Sequence, residues 1–420
     1  MERIVKFGKT IRNNWKKSVV GVIALYYGAA TVKEKYEINV LMRAACREAA
    51  KFGDSLIPME RNPTLVTVIL NPVANKRKAK KDFEKYCEPL LHLAGLQVDV
   101  LQTASEGNAK EIVESLRGTE AIIVAGGDGT LSETVTGLLR RNDGANQFPV
   151  GILPVGRTNT VANSLFPGGT GVDKVKQLIE ASMAIIEGNT TWKDAMKVEP
   201  IQNEDDEPSK PIYALSSIEW GAFRDTLAKK DKYWFCASWR DYASYIFNGY
   251  KDSLTWNCSG VLKFTPPCAG CSNCVQRRAE VKRKWLFFMP SANAEQQLDD
   301  LTKITNPECA SSQELCFKTC DFKINTTNDE KQYDLPTLSI ALGKNTYSYT
   351  AFVSEGWNRL KQNYSYMQTI PVRTVELIPN EQKPEVMIEI DKEEFEVKPV
   401  KITLLPKIIK LYCKSEFKNT

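Results

Sequence analysis

The sequence predicts an α/β domain followed by a β-rich domain. Between residues 64 and 153, strand-length apolar segments alternate with segments of helical apolar spacing, which indicates a parallel sheet covered by helices. After residue 195 most apolar segments are short and strand-like, which favours an antiparallel sheet. The 420 residues suggest about two to three domains. With 42% hydrophobic and 25% charged residues, collagen-like, disordered and polytopic membrane chains are excluded.

Residues 1–60 have the pattern of a targeting or membrane-anchoring segment. Six basic residues and a single acid, Glu2, precede an apolar run of 14 residues at 19–32. A spanning helix needs about 20 residues, so this run fits a short anchoring or interfacial helix, or the apolar part of a signal peptide. A buried first helix is the alternative. The basic, acid-poor flank is typical of mitochondrial targeting segments, and a helical connector over 38–49 follows it.

The α/β domain, placed at 61–195, is predicted from four strands and three intervening helices. The expected strands are buried apolar segments at 64–70, 96–101, 121–125 and 150–153. The expected helices cover 78–93, 109–116 and about 131–139, each with one apolar face. Ligands of such sheets bind beyond the carboxyl ends of the strands, so the segments that follow the strands are the candidate site.

The β-rich domain, placed at 196–420, is predicted from apolar segments and their alternation. The expected strands are 212–218, 338–342, 374–378, 386–390 and 400–405. The acidic, proline-containing stretch 199–211 is expected to be a surface loop that leads into this domain. We expect the final strand to return to the first domain, and a cysteine-containing insertion at about 250–335.

The strongest motif follows the third predicted strand, where Gly126, Gly127, Asp128, Gly129 and Thr130 join that strand to a helix. Glycines let the backbone approach a phosphate closely, and a helix N-terminus supplies positive potential. Neither the G-x-x-x-x-G-K-[ST] pattern of P-loops nor the G-x-G-x-x-G dinucleotide pattern is present. A tight turn without a ligand is the alternative.

Two other strand ends carry related signals. Asn71 and Pro72 follow the first strand and lead into a basic loop at 76–81, of which one or two side chains are expected to meet a nucleotide. A solvated basic face is the alternative for that loop. The fourth strand leads into Gly156, Arg157 and Thr158, which can approach a ligand from a third side. Three loops therefore form the predicted nucleotide site.

These three segments, in this order and spacing, resemble the lipid kinase family of diacylglycerol, sphingosine and ceramide kinases. The signatures of that family are an N-P turn, GGDGT and a P-x-G-T-x-N-D-like loop. Within it, RAACREA at 43–49, LHLAG at 91–95 and the segment IDKEEFE at 390–396 resemble the acylglycerol kinases of mitochondria. The resemblance is weakest at about 240–345. It implies transfer of the ATP γ-phosphate, with Mg²⁺, to a hydroxyl of monoacylglycerol or diacylglycerol, giving lysophosphatidate or phosphatidate.

The third loop departs from the family pattern at two positions. Arg157 stands where the wider family usually has Thr, and Thr160 stands where it has Asp. An arginine at the first position can still bind phosphate. The second difference removes a carboxylate from this loop, while GGDGT is intact.

The proton acceptor is expected to be a carboxylate. A lipid hydroxyl is a weak nucleophile, so removal of its proton assists phosphoryl transfer. The single histidine, His92, ends an apolar helical segment and is assigned to structure. By the resemblance, Asp128 carries essential chemistry, and Asp391 and Glu393 match a D-G-E segment that holds the proton acceptor, although Lys392 replaces its Gly. An acidic hairpin without a catalytic role is the alternative.

The segment 217–225 resembles a W-G-x-x-x-D stretch whose Asp contacts the lipid head group in the family. The resemblance thus assigns Trp220 and Asp225 to the substrate, and Glu133, on the helix after GGDGT, is assigned there too. A surface Asp next to Arg224 is the alternative. Aromatic residues are dense over 233–250; some are expected in the core and others at an acyl cleft or a membrane rim.

The eleven cysteines are an odd number, which excludes complete intramolecular pairing. A C-x-x-C-x-x-C run at 268–274 has spacing suited to tetrahedral Zn²⁺, and three more cysteines follow at 309–320. The candidate ligands are Cys268, Cys271, Cys274, Cys316 and Cys320. Disulfides, which form in oxidising compartments, and free thiols are the alternatives. The other five cysteines are expected to be isolated core residues.

The resemblance also implies partners and a location. Membrane acylglycerols are the expected substrates, on the intermembrane-space side of the mitochondrial inner membrane, with the N-terminus as the anchor. A structural subunit of an inner-membrane protein-import complex is a second hypothesis, and a ceramide or sphingosine kinase is a third. The net charge of +5 is too small to indicate nucleic-acid binding.

Overall fold

The computed structural model describes most of the chain. The described residues are 15–54, 64–141, 148–201, 210–249, 251, 254–268, 271, 306–326, 336–361, 363–380 and 386–415. Most of the basic flank of the expected targeting segment, most of the stretch 199–211, and Cys274 lie outside them.

Helices cover both halves of the described chain. They are α1 (Trp15–Gly53), α2 (Ala74–Arg77), α3 (Ala79–Tyr86), α4 (Glu88–Leu93), α5 (Asn108–Ser115), α6 (Asp128–Leu139), α7 (Thr160–Leu165), α8 (Val172–Glu187), α9 (Ala222–Ala228), α10 (Arg240–Asn248) and α11 (Tyr349–Leu360). Two 3₁₀ helices cover Lys230–Trp239 and Pro307–Ala310. The expected helix 78–93 is divided into α3 and α4, and a proline without an N–H group, Pro89, lies in the first turn of α4.

The strands alternate with these helices in the first half and dominate the second. They are β1 (Leu65–Leu70), β2 (Gln97–Gln102), β3 (Ala121–Gly126), β4 (Val150–Pro154), β5 (Thr190–Pro200), β6 (Ile212–Ala214), β7 (Ser217–Gly221), β8 (Cys258–Thr265), β9 (Gln313–Thr319), β10 (Asp321–Thr326), β11 (Leu338–Leu342), β12 (Gln368–Val372), β13 (Thr374–Pro379), β14 (Met387–Ile390), β15 (Glu393–Glu396) and β16 (Val400–Tyr412).

The first sheet is mixed. Its strands β2, β1, β3 and β4 are adjacent in that order and parallel, which confirms the predicted α/β sheet. Beyond β4 the order continues with β16, β13, β8 and β9. The pair β16–β4 is parallel, while β16–β13, β13–β8 and β8–β9 are antiparallel. In addition, β5 pairs with β16 and β6.

The second sheet is antiparallel and has the order β12-β11-β10-β7-β14-β15. Its apolar face packs against the antiparallel part of the first sheet, so that side chains such as Ile324 of β10 and Leu262 of β8 share one buried cluster.

The expected strand 212–218 is two strands, because the chain passes from the first sheet (β6) to the second (β7). The expected insertion at 250–335 contains three strands of the two sheets: β8 and β10 contribute to the core, and β9 lies at the edge of the first sheet.

The last strand joins the two halves of the molecule. Ile402 and Leu404 of β16 lie in the core between the two sheets, whereas Ile409 and Leu411 lie in the core of the α/β half. Leu411 pairs with Val150 of β4, so the final strand returns to the first domain as expected. The expected boundary at residue 195 falls inside β5, which pairs with β16 along both halves.

The apolar run and the connector near the N-terminus form one helix, α1. Its C-terminal part is packed: Ala45 and Ala49 are buried against Leu90 of α4. Its N-terminal part exposes large apolar side chains, among them Leu25 and Tyr26. Among the described helices, none is both long enough and apolar enough to cross a membrane.

Candidate active site

The three predicted loops meet at the carboxyl ends of β1, β3 and β4. Asn71 Nδ2, after β1, donates a hydrogen bond to Thr130 Oγ1 at 3.1 Å. The N–H of Gly156, after β4, donates to the carbonyl of Gly126 at 2.9 Å. Neighbouring parallel strands end at the same edge of a sheet, which is why segments 71, 126–130 and 156–158 come together.

Two glycines are needed where the loops touch. A Cβ on Gly156 would lie 2.3 Å from Gly127 Cα, and a Cβ on Gly127 would lie 2.8 Å from the carbonyl oxygen of Thr158. The same carbonyl accepts the N–H of Asp128 at 3.0 Å. A side chain at either glycine would push the loops apart, so these glycines serve the contact between loops as well as the approach of a ligand.

A cavity of about 370 Å³ lies between the loops, within the usual size of small-molecule sites. The predicted site residues that line it are Asn71, Gly127, Asp128, Gly129, Thr130, Glu133, Gly156, Arg157, Thr158 and Glu393. Pro72 and Gly126 belong to the same loops without lining the cavity. The structure therefore brings the β14–β15 hairpin, more than 230 residues away along the chain, to the glycine motif.

Asp128 ties the glycine motif to the third loop. Its carboxylate accepts the N–H of Thr160 at 2.7 Å (Oδ1) and 3.0 Å (Oδ2), and the Thr160 hydroxyl donates to Oδ2 at 2.9 Å. Burial raises the pKa of Asp128, although these hydrogen bonds oppose the shift. At position 160, where the wider family has Asp, this chain thus has a hydroxyl that donates to Asp128.

Asp391 holds the β14–β15 turn against the start of β7. Its carboxylate accepts the backbone N–H groups of Leu215, Ser216 and Ser217 at 2.6, 2.9 and 3.0 Å. The side chain is buried, and burial raises its pKa to about 6 despite the three donors. A carboxylate that already accepts three backbone hydrogen bonds is suited to positioning the turn.

Glu393 is the carboxylate that faces the glycine motif. A Cβ on Gly129 would lie 3.1 Å from Glu393 Oε1, so the absence of a side chain there makes room for this carboxyl group. Burial raises the pKa of Glu393 to about 8, and the nearby carboxylate of Glu133 is the next cause. A pKa close to neutral pH suits a general base. His92 is exposed on α4, with Nε2 3.9 Å from Glu88 Oε1.

Glu133 lines the cavity but its carboxylate already has backbone partners. Oε1 accepts the N–H of Gly107 at 2.8 Å and Oε2 accepts the N–H of Ala109 at 3.1 Å. These bonds cap the start of α5 and hold the loop with Glu106 at the cavity wall. Glu133 therefore positions this wall, and together with Glu106 it makes the cavity acidic.

Arg157 reaches the edge of the cavity and forms an ion pair there. Its Nη1 lies 2.6 Å from Asp231 Oδ2 in the 3₁₀ helix, and both side chains are about half exposed. The basic residues Lys76 and Lys78 are exposed after β1, beside Asn75, which lines the cavity. Positive charge thus lies at the rim of the cavity and negative charge on its walls.

The other two predicted substrate residues do not line the cavity. Trp220 is buried between Phe317 and Phe322, with ring centroids 6.3 Å from each. Asp225 is buried on α9, where it lies 3.0 Å from Arg224 Nη1 and accepts the N–H of Thr255 at 2.9 Å. In this structure both side chains support the β-rich half.

Glu219 was not predicted from the sequence. It lies on β7 with Oε1 3.1 Å from Lys323 Nζ and Oε2 3.3 Å from Lys392 Nζ, and Lys392 Nζ is 2.6 Å from Glu389 Oε1. Burial alone would raise the pKa of Glu219, but Lys323 and then Lys392 hold it well below its usual range. Strand alternation could have placed Glu219 opposite the face of Ile218 and Trp220, but no local motif marks its partners.

The cysteine cluster differs from the expected one. The Sγ atoms of Cys268, Cys271 and Cys309 all lie within 4.8 Å of one another. Cys316 and Cys320 are not part of this group, contrary to the expected ligand set. Alternation along β9 leaves Cys316 exposed, and the buried Cys320 donates to the carbonyl of Asn345 at 2.9 Å.

The residues around the cavity suit a nucleotide with a divalent cation. The helix α6 begins at Asp128, so the positive end of its dipole lies at the glycine motif, where phosphate groups bind favourably. The carboxylates of Glu106, Glu133 and Glu393 provide the oxygen ligands that Mg²⁺ prefers.

Comparisons with known proteins agree with a nucleotide site in a kinase fold. The profile of the diacylglycerol kinase catalytic domain matches residues 65–198, and the acylglycerol kinase C-terminal profile matches residues 215–420. Mitochondrial acylglycerol kinase of Homo sapiens is 33% identical over 423 residues, which cover 97% of this chain and 96% of that protein. Its Xenopus laevis counterpart is 32% identical, covering 98% and 96%. Sphingosine kinase 1 of Arabidopsis thaliana is 29% identical over 45% of this chain and 38% of that protein.

Among solved structures, a diacylglycerol kinase from Bacillus anthracis superposes with a TM-score of 0.51 at 16% identity, covering 85% of this chain and 99% of that one. That likeness concerns the fold. Because similarity to the mitochondrial acylglycerol kinases extends over almost the whole length of both proteins, the chain belongs to the acylglycerol kinase family.

Proposed function

We propose that this chain is an ATP-dependent lipid kinase that phosphorylates a free hydroxyl of monoacylglycerol or diacylglycerol. The products are lysophosphatidate and phosphatidate. The observation that carries the proposal is the half-buried Glu393, with a pKa raised to about 8, opposite Gly129 in the cavity between the three loops. Membership of the acylglycerol kinase family supports the substrate class.

Glu393 acts as the general base in this proposal. As the lipid oxygen forms its bond to the γ-phosphorus, the bond to the β–γ bridging oxygen breaks and ADP leaves. The hydroxyl proton passes to the Glu393 carboxylate. Asp391 is a positioning residue that fixes the turn before Glu393, and Asp128 holds the glycine motif against the third loop through Thr160.

ATP is proposed to bind with its phosphates over Gly127 and Gly129, together with Mg²⁺. When bound, Mg²⁺ neutralises phosphate charge. Glu106 and Glu133, which line the cavity, are the candidates to hold it, directly or through water. Arg157 can turn from Asp231 to a phosphate at small cost, since an ion pair of exposed side chains is worth about 0–1 kcal/mol.

The reaction is tested with the purified full chain, radiolabelled ATP and Mg²⁺. Monoacylglycerol, diacylglycerol, ceramide and sphingosine are supplied in mixed micelles, and we expect label in lysophosphatidate or phosphatidate. Glu393→Gln should lower kcat by about 100-fold or more, while Glu396→Gln, on an exposed position of the same hairpin, should not. Absence of transfer to both acylglycerols would overturn the proposal, and transfer to sphingosine or ceramide alone would reassign the substrate.

We propose a mitochondrial location, on the inner membrane and facing the intermembrane space. The names of the full-length relatives support the organelle. The exposed Leu25, Tyr26 and Tyr27 of α1 support an interfacial contact, since tyrosine favours the headgroup region. Protease protection in intact mitochondria and in mitoplasts tests the orientation, and digestion in intact organelles would contradict it. Association with a protein-import complex stays a prediction.

We also propose that Zn²⁺ is bound by Cys268, Cys271 and Cys309. Tetrahedral Zn²⁺ with Zn–S bonds near 2.3 Å keeps its sulfur ligands about 3.8 Å apart, which fits three Sγ atoms within 4.8 Å of one another. Binding of Zn²⁺ would displace the thiol protons, because cysteine binds the metal as a thiolate. Cys274, three positions after Cys271 in sequence, is the candidate fourth ligand.

The zinc proposal has a matched control within the chain. Elemental analysis of the protein purified under reducing conditions should give about one zinc per chain. Cys309→Ser should release the metal, and Cys316→Ser, on the exposed side of β9, should retain it. A zinc content near zero in the wild-type protein, with a disulfide in this cluster by mass spectrometry, would contradict the proposal.

A further inference from the structure

Exposed aromatic side chains concentrate on one segment of the β-rich half. Trp234, Phe235 and Trp239 of the 3₁₀ helix Lys230–Trp239 are 77%, 63% and 70% exposed, and Phe247 of α10 is 43% exposed. Large rings of this kind are mostly covered in folded proteins, and a group of exposed ones marks an interaction site. We call these four residues the aromatic patch.

Packing beneath the aromatic patch holds its rings in place. Phe235 contacts the buried Tyr233 with ring centroids 6.3 Å apart, and Tyr233 stacks on Phe247 at 5.3 Å. Trp239 contacts Tyr242 at 5.6 Å. Phe235 and Phe247 therefore rest on the buried Tyr233, Trp239 rests on the half-buried Tyr242, and Trp234 contacts Phe235 at 6.4 Å.

The surroundings of the aromatic patch are basic. Residues 229–251 contain five basic and two acidic residues. Both acids face arginines: Asp231 pairs with Arg157 at 2.6 Å and with Arg240 at 3.6 Å, and Asp241 lies 3.5 Å from Arg240. Lys232, two positions before the first exposed tryptophan, is exposed. The charge around the rings is complementary to an anionic surface.

The aromatic patch also lies next to the candidate active site. Asp231, in the same 3₁₀ helix as the exposed tryptophans, contacts Arg157, and Arg157 lines the cavity. A surface that covers the patch would therefore lie beside the mouth of the cavity. A lipid bilayer in that place would present acylglycerols to the site.

We propose that the aromatic patch docks onto the interface of an anionic phospholipid bilayer. Tryptophan and phenylalanine insert at the headgroup level, where an indole keeps its N–H hydrated and buries its ring. Lysines beside the rings face lipid phosphates. Basic charge and the neighbouring cavity favour a lipid surface over a protein partner. The purpose of this docking rests on the proposed function, but the binding does not.

The test uses the full chain and vesicles of phosphatidylcholine with roughly 30% phosphatidylserine, a composition that gives an anionic surface. Trp234→Ala/Phe235→Ala/Trp239→Ala should lower vesicle affinity about tenfold or more, because three rings lose their burial in the interface. Trp192→Ala, which removes an exposed tryptophan of β5, is the matched control and should bind like the wild type. The contribution of α1 is the same in all three proteins.

A second readout reports on the patch itself. Brominated lipids should quench tryptophan fluorescence of the wild type and of Trp192→Ala, and quench the triple variant less. Circular dichroism checks that each variant is folded. Unchanged vesicle affinity and quenching in a folded triple variant would overturn the proposal, as would loss of self-association or of a protein partner without loss of vesicle binding.

Failure of the kinase proposal is distinguishable from failure of this one. Activity is measured on short-chain monoacylglycerol dissolved in detergent, where the triple variant should retain the wild-type kcat. A wild type without activity that still binds vesicles through the aromatic patch would leave the docking proposal intact. A fully active wild type whose vesicle binding does not depend on the patch would overturn the docking proposal alone.

Discussion

Three acidic residues near the glycine motif have different environments, and these separate their roles. Asp128 accepts hydrogen bonds from Thr160, and Asp391 accepts three backbone N–H groups. Glu393 faces Gly129 among other carboxylates, and its pKa is raised to about 8, whereas the pKa of Asp391 is raised to about 6. Groups with perturbed pKa values in a cavity are candidates for proton transfer, which favours Glu393 as the base.

The pH dependence of activity follows from this assignment. A general base must be ionised, so kcat/KM of the free enzyme should rise with pH and level off above about 8, the raised pKa of Glu393. A pH–rate profile on a soluble monoacylglycerol measures this. A flat profile from about pH 6 to about pH 9, a range that includes the raised pKa of about 8, would contradict the role of Glu393.

The same carboxyl group affects stability with a defined sign. Its pKa in the folded protein lies above the ordinary value of 4.5, so ionisation disfavours folding, and stability is lost as pH rises from about 4.5 through about 8. Glu393→Gln should therefore raise the melting temperature at pH 8.5 (above about 8, where the loss is complete) and change it little at pH 4. Glu396→Gln is the control, and equal melting-temperature differences at both pH values would contradict the expectation.

Thr160 is expected to stabilise the contact between two loops through its hydroxyl. Thr160→Val keeps the backbone N–H donor to Asp128 and removes the hydroxyl donor, which should cost about 1 kcal/mol of unfolding free energy. It should also raise the pKa of Asp128 further. Thr160→Ser restores the hydroxyl and should recover most of the loss in urea denaturation. Equal stability of the Val and Ser variants would show that the hydroxyl contributes nothing.

At the scale of elements, the β14–β15 hairpin places the proposed base. Ile390 pairs with Glu393, so Asp391 and Lys392 form a two-residue turn, and their φ values are +45° and +72°. Such a turn normally has glycine at the second position, because a side chain is strained at positive φ. Here Lys392 adopts this strained backbone conformation, and its ammonium group forms ion pairs with Glu219 and Glu389.

Two substitutions separate backbone strain from charge at this turn. Lys392→Met loses the ion pairs and keeps the strain, whereas Lys392→Gly loses the ion pairs and relieves it. The Gly variant should be more stable than the Met variant by about 1 kcal/mol in urea denaturation. Both should lower kcat less than Glu393→Gln does. A Met variant as stable as the Gly variant would show that the turn is unstrained.

At the scale of the molecule, β16 connects two hydrophobic cores. An irregularity between Leu405 and Ile409 separates its two halves. At that point the N–H of Lys407 donates to Asp194 Oδ1 of β5 at 2.7 Å. At this irregularity β16 passes from one hydrophobic core to the other and stays in the same sheet. β16 therefore cannot leave one core without also leaving the other.

The shared strand predicts that both cores unfold together. Leu411→Ala in the first core and Ile402→Ala in the second each remove a fully buried side chain and should cost about 2–5 kcal/mol. Both should shift one common transition in urea, followed by circular dichroism and by tryptophan fluorescence. Two transitions, each moved by only one of the substitutions, would contradict coupling through β16.

Much of the candidate site was predictable because its signals are local. Gly126–Thr130, Asn71 and Gly156 follow strands that local patterns identify, and parallel strands must end at a common edge. The resemblance placed Asp391 and Glu393 in the site but did not separate their roles. That separation depends on Leu215–Ser217 and Gly129, which lie far from the hairpin in sequence.

Local patterns were therefore enough to predict the parallel strands and the loops at their ends, and a carboxylate base stays a prediction. Periodicity and turn chemistry act over a few residues, and a single chain displays them directly. The path of β16 through both cores, the replacement of Cys316 and Cys320 by Cys309, and the outward position of the aromatic patch depended on the folded molecule. These features depend on which distant segments pack together. The register of the sheets and the burial of whole helix and strand faces determine that packing.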